Sequence, residues 1–158
     1  MANTQAMCTS FLGEILTATH NFGTAPTRGS STADTFKAAL YLTTATINAG
    51  TTAYTATGEV SGTNYTAGGV TVTNATPPAS TNTSSTAGTA YWTPSSSITY
   101  TTVTLSTAFD TVLIYNSTQS NKAVSVHTFG SQTITAGTFT LTMPSNTTAA
   151  ALLRIATT

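Results

Sequence analysis

The stretch Phe109-Asp-Thr-Val-Leu-Ile-Tyr-Asn116 and, after a polar gap, Ala123-Val-Ser-Val-His-Thr-Phe129 decide how the chain folds. Val112 to Tyr115 form an unbroken apolar run of aliphatic and aromatic side chains, the pattern of a strand buried on both faces. Residues 117–122 are all polar and supply a turn. Val124 and Val126 then alternate with Ser125 and His127, as in a half-buried second arm. The pair reads as a hairpin at the centre of an all-β domain.

Outward from this hairpin the period of two persists. Toward the N-terminus, Val103 and Leu105 fall on one parity and Ile98 and Tyr100 on the other, which predicts a bulge near Thr101–Thr102. Tyr91-Trp92 closes a Pro-, Ser-, Thr- and Gly-rich stretch at 76–90, read as a surface excursion, with Trp92 an anchor in the core or at an interface. Val70-Thr-Val72 is a short strand, and residues 47–69 form a long loop pinned by Tyr54, Val60 and Tyr65. Glu59 in that loop is placed to accept backbone N–H bonds. Residues 36–42 alternate as a half-exposed strand, with Phe36, Ala38 and Leu40 inward and Lys37, Ala39 and Tyr41 outward. Toward the C-terminus, Phe129-Gly130 reads as a turn into Gln132-Thr-Ile134, Gly137 opens a strand of Phe139, Leu141 and Met143 closed by Pro144, and residues 152–155 read as a last strand. The expectation is an antiparallel β-sandwich of jelly-roll, immunoglobulin-like or similar type, with about seven to nine strands.

The start of the chain differs. Met7, Phe11, Leu12, Ile15, Leu16 and Phe22 recur at helical spacing, which predicts one amphipathic helix over 4–22, capped by Asn3 or Thr4 and stopped at Gly23. The domain plan is therefore a helical arm at 1–22, a connector at 23–33 and a sandwich at 34–158. The apolar stripe of the arm is expected to dock on a neighbouring subunit or a larger partner; the alternative is that it caps its own sandwich.

Composition narrows the function classes. The chain has four Lys/Arg and four Asp/Glu in 158 residues, about 5% charged, and no net charge. There is no basic patch to neutralise phosphates, so nucleic acid is not an expected partner. No apolar run reaches the ~18 residues of a membrane span, and no secretion signal is read at the N-terminus. Cys8 is the sole cysteine, so it makes no internal disulfide. Five Asn-x-Ser/Thr triplets carry no weight in so Thr-rich a chain. An uncharged, β-prone sheet protects its edges poorly, which predicts coverage by copies of itself (a homotrimer is the first expectation) or by partners. Metalloprotease, nucleophile-elbow, phosphate-loop and paired-cysteine motifs are absent, so no enzyme, cofactor or metal is expected. His127 with Asp110 makes a serine-type triad only on paper, and Asp110 and Lys122 are expected at the ends of the hairpin arms as solvated charges or a weak ion pair.

Several stretches taken together resemble a family of small virion structural proteins of tailed bacteriophages. They are Phe36-Lys-Ala-Ala-Leu-Tyr41, Ala53-Tyr54, Gly58-Glu-Val-Ser-Gly62, Tyr65-Thr-Ala-Gly-Gly69, Ile114-Tyr-Asn116, Asn121-Lys-Ala-Val124, Phe129-Gly130, and Gly137-Thr-Phe139 followed by Pro144. The resemblance spans most of 4–155. It implies assembly in the bacterial host cytoplasm, a place on the capsid exterior of the virion, the major capsid protein as partner, and a decoration or cement role. A tail, neck or head-fibre component is the alternative. The family pattern is more acidic where this chain is Thr/Ser-rich, at 79–90, a departure that puts in doubt any ion-binding role for the segment. Interface candidates are Met7, Phe11, Leu12, Ile15, Leu16, Tyr54, Tyr65, Tyr91 and Trp92.

Overall fold

A computed structural model of the chain describes residues 3–16, 18–22, 33–83 and 86–156. In order, the elements are β1 (Ala6–Met7), α1 (Thr9–Leu16), β2 (Phe36–Leu42), β3 (Val70–Val72), β4 (Ala79–Thr83), β5 (Thr86–Trp92), β6 (Ile98–Asn116), β7 (Lys122–Leu141) and β8 (Leu153–Ala156). They form two antiparallel sheets, one of five strands in the order β1-β7-β6-β2-β3 and one of three in the order β4-β5-β8. The all-β, sandwich-like fold is as expected.

β6 and β7, 19 and 20 residues long, are joined by a turn at 117–121. Residues 111–116 are buried throughout, as the apolar run requires. The hairpin does not stay straight. Phe129 and Phe139 lie on the same strand, ten residues apart, and a straight strand would separate them by ~33 Å. Their ring centroids are 5.1 Å apart. Bulges make this possible. β7 uses four residues from Thr128 to Gln132 where β6 uses two, and the next step reverses, with four on β6 against two on β7. The expected bulge at Thr101–Thr102 is present, with Thr102 at φ 54°, and Ala136 at φ 45° marks its counterpart on β7. The outer half of the hairpin folds back over the inner half. Phe109 contacts both Phe129 and Phe139 at the corner, and the Tyr100 hydroxyl donates to the Ala38 carbonyl of β2 at 2.7 Å.

β2 is more buried than its alternation predicted. Tyr41, expected outward, is fully buried because the 53–59 loop lies over it, and its hydroxyl donates to the Thr55 carbonyl at 2.6 Å. The loop returns to β3 through Gly69, at φ +72°, where an added Cβ would sit 1.6 Å from the Ala38 carbonyl oxygen. The 76–90 stretch is also ordered differently from the expected excursion. Its Thr-rich halves pair as the β4–β5 hairpin, anchored by Trp92, whose indole N–H donates to the Thr76 carbonyl at 3.1 Å.

The N-terminal helix is shorter than expected, and it is not a free arm. Ala6 and Met7 pair with Val126 and Ser125, and the Cys8 N–H donates to the Val124 carbonyl, so strand pairing holds this backbone before α1 begins. Ala18, at φ 50°, ends the turn that was expected to continue to Gly23. Asn3 is no helix cap either: its amide donates to Leu42 O and Asp110 Oδ1, and its oxygen accepts from Ile47 N. Cys8 and Phe11 are buried in the chain's own core. Phe22 stacks on Phe36 at 4.4 Å and meets Trp92 at 4.8 Å, tying this segment to β2 and β5. The connector, but for residue 33, lies outside the described residues.

The corner makes the fold sensitive to Phe109. Phe109→Ala is expected to destabilise the protein by about 3–5 kcal/mol, the usual range for emptying a buried Phe site. Urea unfolding checks this: the midpoint should fall while the slope stays unchanged.

Candidate interaction surface

The four acids of the chain all turn out to be internal acceptors. Glu59 organises the 53–69 loop. Its Oε2 accepts the Tyr54 hydroxyl at 2.6 Å, and its Oε1 accepts the Tyr65 hydroxyl and the Gly68 N–H, each at 2.7 Å. The Tyr65 oxygen in turn accepts the Leu40 N–H of β2 at 3.0 Å. Burial, reinforced by the Glu59 carboxylate, pushes both tyrosines well above their ordinary range, so both stay protonated as donors. The sequence marked Glu59 as an acceptor of backbone N–H bonds; the two hydroxyl donors carry no local signal.

Asp34, Glu14 and Asn116 form a second knot beside the β6–β7 turn. Asp34 is buried and accepts from Asn21 N, Asn116 Nδ2 and Gln119 Nε2 at 2.9, 2.7 and 3.2 Å. The Asn116 amide also donates to His20 Nδ1 at 3.1 Å, which leaves the His20 proton on Nε2, facing Glu14 Oε2 at 2.7 Å. Lys122 reaches the other Glu14 oxygen at 2.5 Å. Burial raises the Glu14 pKa, but its contacts with Lys122 and His20 outweigh that and hold it below the usual value. Asp110 and Lys122 are neither merely solvated nor paired with each other: Lys122 takes Glu14, and Asp110 takes Asn3 and Thr111.

With Asp110 so occupied, the triad on paper does not assemble. His127 meets the Ser125 hydroxyl at 2.9 Å, and burial pushes its pKa down to about 4. Both residues line a half-open cleft of about 730 Å³ between β7 and β8, together with Gln5, Met7, Leu152 and Arg154. Among the described residues no group of three or more His, Cys, Asp or Glu is placed to hold a metal, and no helix is long and apolar enough to cross a membrane.

The interface candidates separate into distinct groups. Phe11 and Trp92 are buried in the chain's own core, which removes them from any outer contact. Met7 and Ile15 are half-buried against that core, and Tyr91 is half-buried on β5 opposite Arg154. Tyr54 and Tyr65 are half-buried with both hydroxyls spent on Glu59, and their rings stack on Tyr115 and Tyr100. The side chains of Leu12 and Leu16 lie outside what is described. The aromatic faces on which self-association was expected therefore point largely inward.

The surface left outside is rich in Thr and Ser and includes an open strand edge. Residues 122–126 of β7 are covered by Thr52, Ala53, Cys8 and β1. From His127 onward, no backbone of the described residues pairs with that edge on the side away from β6. No family model matches the chain, and no curated protein or solved structure compared with it does either.

Two outcomes follow from this electrostatic layout. Glu59→Gln replaces an acceptor with a donor facing donors, and should cost about 1.5–3 kcal/mol, read as a lower Tm and faster exchange of the Gly68 amide. For His127, the folded pKa lies below the ordinary 6.5. Its contribution is complete above 6.5 and is lost as pH falls toward about 4. Burial lowers His20 as well, which adds loss of the same sign. A Tm-against-pH series should therefore decline through this window, and more shallowly in His127→Asn.

Proposed function

We propose that the chain is a virion structural protein of a tailed bacteriophage, a capsid decoration or cement protein that binds the outside of the shell and links to copies of itself. The observation that carries this reading is the charge-poor β surface with an open edge. A soluble domain that works alone normally keeps charge on its surface and guards its strand edges with it. Here the acids are engaged as intramolecular acceptors, Asp34 buried and the other three partly so, and the outer strands present Thr and Ser. Such a surface suits a part repeated on a lattice, where neighbours cover what is left open. The resemblance over 4–155 supports the same setting, with the major capsid protein as partner and the capsid exterior as its place.

Attachment through a free N-terminal helix is no longer part of this reading, because Cys8 and Phe11 sit in the chain's own core. Contact with the shell falls instead to the β surfaces. The test is to add the purified protein to shells assembled from the major capsid protein encoded alongside it. Saturable binding, with a stoichiometry set by the number of shell subunits and a higher rupture temperature for the shell, is the expected result. No binding to shells, or a copy number in intact particles that follows the single tail or neck, would overturn it.

A further inference from the structure

We infer that the outer edge of β7 over residues 137–141 is a self-association strand that pairs antiparallel with the same stretch of a second copy. The inference deepens the self-linking part of the proposed function and rests on that part alone, not on the shell.

The edge falls into three successive regimes. Up to Val126 it is covered by the chain's own backbone. From Thr128 to Gly137 the ladder to β6 is broken by bulges, and a strand bent in this way is a poor template for pairing. Beyond the bulges the ladder becomes regular again, with Phe139, Thr140 and Leu141 opposite Tyr100, Thr99 and Ile98. Here Phe139, Leu141 and Met143 are half-buried and alternate with exposed Thr138, Thr140 and Thr142. The sequence Thr138-Phe-Thr-Leu-Thr-Met143 is β-prone, uncharged and free of Pro until Pro144. Such a segment on a free edge is a pairing site by default.

Its chemistry selects a copy of itself. Across a two-fold axis each residue faces its own kind or a near neighbour, so any charge would meet like charge. Residues 123–153 contain no Lys, Arg, Asp or Glu. The exposed row is Thr, and Thr–Thr cross-strand pairs gain from hydroxyl contacts. A charged partner segment would find nothing complementary along this edge. An isologous pair also uses up both edges, so association stops at two and does not run on into fibres.

The test uses the full chain. Sedimentation equilibrium should give twice the 16.1 kDa chain mass for the wild type. Thr138→Lys with Thr140→Lys, both on the exposed row, should yield a monomer of unchanged circular dichroism and Tm, whereas Thr71→Lys on exposed β3 should leave the dimer intact. Should the double variant misfold, cross-linking decides. One of Thr138→Cys, Thr140→Cys and Thr142→Cys should give a disulfide-linked dimer under mild oxidation, and Thr71→Cys should not. Cys8 does not compete, because it is buried and its thiol is pushed up to about 11. A wild type that is monomeric up to its solubility limit, a folded double-Lys variant that remains dimeric, or cross-linking no stronger than at Thr71 overturns the inference. A monomeric wild type that still coats shells would overturn the paired edge and leave the decoration reading standing; a dimer that binds no shell would do the reverse.

Discussion

The packing of Phe109, Phe129 and Phe139 at the corner of the long hairpin is the interaction on which the rest of the structure depends. Without it β6 and β7 would form a long two-stranded ribbon, and an isolated ribbon is marginal in water. With it, the two halves of one hairpin close on each other, and part of the core forms between them. Most of the strand pairing in the sandwich is then between neighbours in sequence. Along β6, β2 pairs with the inner half alone, from Phe109 to Asn116, where residues 111–116 are all buried. The outer half reaches back over it through Tyr100. The bulges set the bend, and the three rings supply the apolar contact that makes bending favourable.

A second constraint is what the fold does with its few charges. A loop as long as 43–69 carries many backbone N–H groups that need acceptors. A carboxylate accepts several strong bonds at once, and Glu59 takes three. Asp34 does the same where the 18–22 segment, β2 and the β6–β7 turn converge. Acids used in this way stabilise irregular backbone, but they no longer contribute to a repulsive, hydrated surface. In a chain with only four acids, internal structure and surface charge compete for the same residues. The outcome is a domain whose interior is well satisfied and whose outside has little to discourage association.

How much of this could be read in the sequence depended on whether the signal was local. The central hairpin was legible because Val112 to Tyr115 is apolar without interruption, and the bulge at Thr102 because the parity of Ile98 and Tyr100 disagrees with that of Val103 and Leu105. The bend at 128–137 was legible only as a turn at Phe129-Gly130, not as bulges within one continuous strand. Thr is acceptable on either face of a strand, so residues 131–135 show no phase slip to detect. The start of the chain misled for a related reason. Met7, Phe11 and Ile15 fit a helical stripe, but the backbone of Ala6 and Met7 is held by β7, a partner more than a hundred residues away. Tyr41 looked outward because alternation cannot report a loop that folds over the second face. Among the site residues, Glu59 was recognisable as an acceptor, while the knot of Glu14, His20, Asp34 and Asn116 is assembled entirely by tertiary contact.

These features bear on one another in a definite order. Because Cys8 and Phe11 are used up in the core, the described part of the N-terminal segment is not free as a tether, and the sheets are the broadest surfaces that the described residues leave for contact with other molecules. Because the acids are used up in loops, the sheets meet those molecules nearly uncharged, so shape and backbone pairing must supply the specificity that charge does not. And because the bulges that close the sandwich also deform the middle of β7, they restrict regular, exposed ladder to its last few residues. The device that folds the hairpin thereby decides where on its edge another strand can be accepted.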